Sequence, residues 1–129
     1  MKIRKSRDQA FKMNESDIQS LIRQRVGNGR IRLFRNNVGA TRDARGRLIR
    51  YGLAKGSADL IGWLTRKITQ DDVGETIAQF VSIEVKSSSG KPRPDQIAWQ
   101  DAVNNAGGRA GIARSVEDAE KIISPEKTK

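Results

Sequence analysis

Residues 80–99 read FVSIEVKSSSGKPRPDQIAW. Phe80-Val81-Ser82-Ile83 starts as a half-buried strand, yet it breaks into Glu84-Val85-Lys86 just before a turn rich in serine, glycine and proline. Strand side chains alternate, so Val81, Ile83 and Val85 share one face, and Ser82, Glu84 and Lys86 share the other. The acid and the base are then neighbours, about 6–7 Å apart along the strand. This is either a solvated strand edge or the working end of an active site. An acid and a base two positions apart recur by chance in a chain with 15 acids and 25 bases, so the rest of the sequence has to decide.

Around this stretch the periodicity gives the element order α-β-β-β-α-β-α, a mixed sheet flanked by helices. NESDIQSLIRQRVGNG is a helix with Asn14 as N-cap, an apolar stripe at Ile18, Leu21, Ile22 and Val26, and a glycine stop at Gly27 and Gly29. Glu15 would stand at the N-terminal end of that stripe, where it also complements the helix dipole. IRLFRNN (31–37) is a strand, and 38–57 a long mobile loop or loose hairpin. ADLIGWL (58–64) and TIAQFVSIEVKSS (76–88) are two more strands, and the turn TQDDVGE suggests an antiparallel pair. Pro94 opens a second helix with a stripe at Ile97, Ala98, Ala102 and Val103, ended by Gly107-Gly108. RAGIARS (109–115) is the last strand and VEDAEKIIS a short helix. Residues 1–13 read as a basic arm, 14–124 as one domain, and 125–129 as a frayed tail.

Composition narrows the chemistry. The 129 residues suit one domain, and the net charge of +10 makes a polyanion, nucleic acid above all, the expected partner. The chain has no cysteine and no histidine, which excludes disulfides, thiolate nucleophiles, serine–histidine triads and histidine bases. Hydrolysis would have to use carboxylates, lysine, hydroxyls and a hard cation such as Mg2+. No apolar run is long enough to span a membrane, and the basic N-terminus lacks a secretory core, so a cytoplasmic location is expected.

Asp59 opens the apolar run Leu60-Ile61-Gly62-Trp63, a position that packing explains poorly because an unpaired buried carboxylate is costly. If its strand pairs with that of Glu84, Asp59, Glu84 and a backbone carbonyl form an oxygen cage for Mg2+, with Lys86 beside them. Arg35, Asn36, Asn37, Lys55, Ser57 and Lys91 are candidate phosphate contacts, as is the arginine group Arg42, Arg45, Arg47 and Arg50. Strand-end polar residues are also commonly just solvated, and Ser57 could equally cap a turn. Trp63 reads as core; Trp99 could pack or stack on a base.

An Asp on one strand and Glu-x-Lys on the next, within αβββαβ, resembles the PD-(D/E)XK nuclease superfamily. The stretches FRNNVGA, GLAKGSADLIGW, FVSIEVKSSSGKPRPDQIAWQ, GGRAGIARSVEDA and the helix ESDIQSLI resemble its VRR-NUC branch, found alone in phages and fused to repair enzymes. The resemblance implies a restriction-endonuclease-like fold. It implies that Asp59, Glu84, the Val85 carbonyl and Glu15 ligate Mg2+ or Mn2+, with Asp17 as the alternative to Glu15. Lys86 would be the catalytic lysine, and Gln96 the glutamine that holds the lysine or a phosphate. Ala58-Asp59 replaces the superfamily's usual Pro-Asp, in the Gly-Ser-x-Asp form of the branch. The implied function is a homodimeric endonuclease for branched DNA, such as four-way Holliday junctions, in repair or recombination. Action on linear or flapped DNA is the alternative, and a non-catalytic basic DNA-binding module, with Asp59, Glu84 and Lys86 as a structural ion-pair network, is the rival.

Overall fold

The computed structural model describes residues 13–124. The expected basic arm, apart from Met13, and the expected tail lie outside them. The chain divides into two compact units, one up to Leu64 and one from Thr65.

In the first unit, helix α1 spans Glu15–Arg25, and the Asn14 side chain accepts a hydrogen bond from the Asp17 amide at 2.8 Å. The expected N-cap is thus in place. Ile18, Ile22 and Val26 lie on the helix as the stripe required, yet each is about two-fifths exposed. Strand β1 (Ile31–Arg35) pairs antiparallel with β4 (Leu60–Leu64), Leu33 opposite Gly62 and Phe34 opposite Ile61. Gly62 is required here, since a Cβ would stand 1.6 Å from the Arg32 carbonyl oxygen. Between these strands, β2 (Gly39–Arg42) and β3 (Leu48–Tyr51) form an antiparallel hairpin. The segment 38–57, expected as a mobile loop or loose hairpin, therefore contains a regular hairpin, closed by Asp43. Its carboxylate accepts from the Arg45 and Arg47 amides, both at 2.9 Å.

In the second unit, β5 (Val81–Val85) pairs parallel with β6 (Arg109–Ala113). A parallel pair needs a crossover, and α2 (Pro94–Asn105) supplies it, with α3 (Val116–Ile123) following β6. The antiparallel pairing expected between 58–64 and 76–88 is corrected: the ladder partner of β4 is β1, and that of β5 is β6. Residues 65–80 separate these strands, whereas hairpin loops run to about 2–5 residues. The TQDDVGE segment closes on itself as a 3-10 turn at Gln70–Asp72, with the Asp72 carboxylate accepting from the Thr69 amide at 2.8 Å. Strand β5 is also shorter than the 76–88 expected.

Val103 and Ala113 are the buried apolar side chains. The face of α2 turned inward is Gln96, Gln100, Ala102 and Val103, while Ile97 and Ala98 are exposed, which keeps the second half of the expected stripe and corrects the first. The cause lies in β5: α2 bonds to the Ser82–Glu84 face, which offers polar atoms, so the helix meets it with an amide and an indole N–H. On its other side, Gly111 of β6 lets Ile122 of α3 approach; a Cβ there would meet the Ile122 side chain at 2.7 Å. Asn104 closes the turn from α2 to β6, donating to the Ala110 carbonyl at 3.0 Å and accepting from its amide at 2.9 Å.

A candidate active site on strand β5

The alternation of β5 puts Ser82, Glu84 and Lys86 on one face. Helix α2 bonds to two of them. Gln96 Nε2 donates to Glu84 Oε1 and Trp99 Nε1 donates to Ser82 Oγ, both at 2.8 Å. Gln96 and Trp99 stand three residues apart on the helix, and Ser82 and Glu84 two apart on the strand, so the contacts act as two rungs fixing one element against the other. The Gln96 amide is committed at both ends, because its Oε1 accepts from the Arg93 amide at 3.0 Å. That bond caps α2 and leaves only the NH2 group to face Glu84.

Lys86 Nζ lies 3.5 Å from the same Glu84 Oε1. Its side chain is 17% exposed against 41% for Glu84, so the lysine is mostly covered and the carboxylate stays accessible. Glu84 Oε2 makes no hydrogen bond or ion pair among the described residues and remains open to a ligand. Although Lys86 follows the strand, its amide still donates to the Ala113 carbonyl at 3.0 Å, so the ladder sets its backbone. The turn beyond is tied down by Arg114, whose Nη1 donates to the carbonyls of Ser87 at 2.5 Å and Gly90 at 2.6 Å.

Asp59 stands in a different setting in the first unit. It is exposed, immediately ahead of β4, and its carboxylate has no hydrogen-bond or ion-pair partner among the described residues. Its backbone is held: the Asn36 amide donates to the Asp59 carbonyl at 2.8 Å. Asn36 Nδ2 donates to Ser57 Oγ at 2.7 Å and to the Ala58 carbonyl at 2.9 Å, and its Oδ1 accepts from the Leu53 amide at 3.0 Å. Asn36, read from sequence as a phosphate contact or a solvated strand end, is a latch on the segment that delivers Asp59. Ser57 is an acceptor in that latch.

Of the other expected site residues, Glu15 and Asp17 both lie exposed in the first turn of α1. The Val85 side chain points away from Glu84 and is 76% exposed. Arg35, Asn37, Lys55 and Lys91 are exposed, as phosphate contacts must be. Within the hairpin, Arg42 bonds the Gly46 carbonyl and Arg47 pairs with Asp43, so part of the arginine group has a structural role. Trp63 is half-buried and packs against the exposed Phe34 with ring centroids 5.5 Å apart, a packing role short of the core position expected. Among the described residues, no three acidic side chains gather in a group that could hold a metal ion. Sequence reasoning missed Asn36 and Arg114 as anchors, because neither type nor spacing separates them from the chain's other strand-end polar residues.

The VRR-NUC domain family matches residues 13–117. The chain belongs to that family. Its domain is a nuclease domain, and its small antiparallel and parallel sheets flanked by helices agree with a restriction-endonuclease-like fold. DNA is accordingly its substrate class. No curated protein and no solved structure matches the chain. No described helix is long and apolar enough to cross a membrane.

Proposed function

We propose that the protein is a divalent-metal-dependent, structure-specific endonuclease that hydrolyses phosphodiesters in branched DNA, four-way junctions foremost, as a homodimer. The observation that carries the reading is the Glu84 carboxylate, fixed by Gln96, flanked by the mostly covered Lys86 and open at Oε2. On the family reading, Glu84 with the Val85 carbonyl, and Asp59 and Glu15 of the first unit, would supply the cation's oxygen ligands, although these acids do not stand gathered among the described residues. Oxygen donors alone, with no cysteine or histidine in the chain, suit Mg2+ or Mn2+. When bound, the cation would act as Lewis acid toward the phosphate and lower the pKa of a water.

The chain's own groups have separate tasks. Gln96 keeps the Glu84 carboxylate in one orientation. The Lys86 ammonium group places positive charge where the phosphate gains negative charge. Arg35, Asn37, Lys55, Ser57 and Lys91 would contact the phosphate backbone, which positions DNA without reading its sequence. Two copies related by a two-fold axis would cut two symmetric strands. A structural ion-pair network is the weaker reading, since Asp59 has no charged partner among the described residues.

The test is cleavage of an end-labelled four-way junction, its matched linear duplex and a flapped duplex, with Mg2+, Mn2+ or EDTA. Paired symmetric cuts confined to the junction and abolished by EDTA are expected. Equal cutting of all three would remove the junction preference, and no cutting with either metal would leave a binding module.

A further inference from the structure

Beside Glu84, entirely within the second unit, lies a cavity of about 350 Å3. Ser82 and Glu84 of β5 and Ala110 of β6 line one side; Gln96, Trp99 and Gln100 of α2 line the other, with the ion-paired Arg93 and Asp95 also at its wall. Pockets for small ligands run from roughly 300 to 1,000 Å3, so this one has room for a single planar base and none for a duplex. Its polar groups are unequally occupied. Gln96 is used up by Glu84 and the Arg93 amide, and Ser82 Oγ accepts from Trp99. Gln100, half-buried one helical turn beyond Gln96, makes no side-chain hydrogen bond among the described residues. Its primary amide, partly open to solvent, has no protein partner among the described residues to give up and is available to a ligand. It presents one acceptor and two donors, which match the adjacent donor and acceptor that every nucleobase carries. The Arg93 side chain spends Nε on Asp95 at 3.1 Å, and its terminal nitrogens have no partner among the described residues.

We propose that this cavity receives one unstacked nucleobase of the substrate, held edge-on by the Gln100 amide against the Trp99 indole, with Arg93 on an adjoining phosphate. The proposal rests on the nuclease reading for the identity of the ligand as DNA, and it narrows the substrate class. A base within a duplex reaches such a pocket only by leaving the stack, which is easiest for a nucleotide that is already unpaired. The site thus favours, among branched substrates, those in which a nucleotide at the branch is unpaired or readily unpaired.

The experiment compares a fully paired duplex with one carrying a single extrahelical 2-aminopurine nucleotide, in EDTA so that nothing is cleaved. Binding and 2-aminopurine fluorescence are read for the wild type and for Gln100→Ala, with circular dichroism confirming the fold. The wild type should bind the bulged duplex about 5- to 100-fold more tightly, the range expected from one base–aromatic stack, and its fluorescence should change on binding. Gln100→Ala should lose the hydrogen-bonded part of that preference, about 2- to 10-fold, and bind the paired duplex unchanged. Equal binding of both duplexes with unchanged fluorescence would overturn the proposal. So would a full preference retained by Gln100→Ala. Cleavage is assayed separately with Mg2+: a protein that cuts DNA without the preference keeps the nuclease reading and loses this one, whereas a preference without cleavage does the reverse.

Discussion

Glu84 and Asp59 are two carboxylates of one expected pair, and the structure treats them in opposite ways. Glu84 accepts from Gln96 and faces Lys86, so its side chain is oriented by groups of its own unit. Asp59 has its backbone fixed through Asn36, while its carboxylate stands without a partner. One is preorganised at the side chain and the other only at the main chain. A carboxylate locked by neighbours adds to stability as well as to chemistry; one that is exposed and without protein partners adds nothing to the fold and stands in water, free to meet a ligand. Substitutions should therefore separate the two.

The largest effect is expected at Lys86. Lys86→Met should lower the cleavage rate by about 10²–10⁴-fold, the usual range for a positioned catalytic group. Asp59→Asn should reduce activity comparably but leave the unfolding midpoint unchanged, because no contact is lost. Glu84→Ala should do both: beyond a comparable loss of activity, it removes the acceptor of Gln96 and the counter-charge of Lys86. At about 1–2 kcal/mol, that loss is measurable by urea denaturation. If Asp59→Asn destabilises the protein as much as Glu84→Ala does, the contrast between the two carboxylates is wrong.

Next comes the latch. Asn36→Ala removes the partner of Ser57, the Ala58 carbonyl and the Leu53 amide at once. The groups are partly solvated, so a loss of about 1–2 kcal/mol is expected. Activity should fall further than stability, because the segment carrying Asp59 would lose its register. Asn36→Asp, which keeps the acceptor for Leu53 but not the two donors, should lie between. Unaltered cleavage by a folded Asn36→Ala protein would show that Asp59 needs no positioning.

The same contrast explains what could be read from the sequence. The Glu84–Lys86 face follows from the two-residue period of a strand, and α2 from Pro94 and the Gly107-Gly108 stop, so the local geometry of the β5–α2 segment was legible. The first half of α2's inward face was not. Apolar periodicity picks out Ile97 and Ala98, but the strand face it meets is polar, and hydrogen bonding, which leaves no hydropathy signal, turned Gln96 and Trp99 toward it. Strand partners were misread for a related reason: the TQDDVGE segment has hairpin-turn composition, yet Asp72 uses its carboxylate to close a local turn with Thr69 and Arg66. The Asn36 latch joins residues some 20 positions apart, beyond the reach of any local pattern.

The smallest effect compares the two aspartate-closed turns, one in each unit. The Asp43 carboxyl is held below the usual carboxylate range chiefly by the Arg47 amide, with the Arg45 amide and the Arg47 side chain adding to it against some desolvation. Asp72 is lowered first by the Thr69 amide and then by the Arg66 side chain. A depressed folded pKa means stabilisation that is complete above the unfolded value, about 3.9, and that is lost as pH falls through the lower folded value. Both turns should hold at neutral pH and loosen in acid, below about pH 4. Because both carboxylates are solvated, the effect should be modest. Amide resonances of Arg45, Arg47 and Thr69 followed by NMR from about pH 5 to about pH 2 would show it. In Asp43→Asn the Arg45 and Arg47 resonances should stay flat across that range, while Thr69 still titrates. If Arg45 and Arg47 titrate unchanged in that variant, the hairpin is closed by something other than Asp43, and the two turns are not equivalent devices.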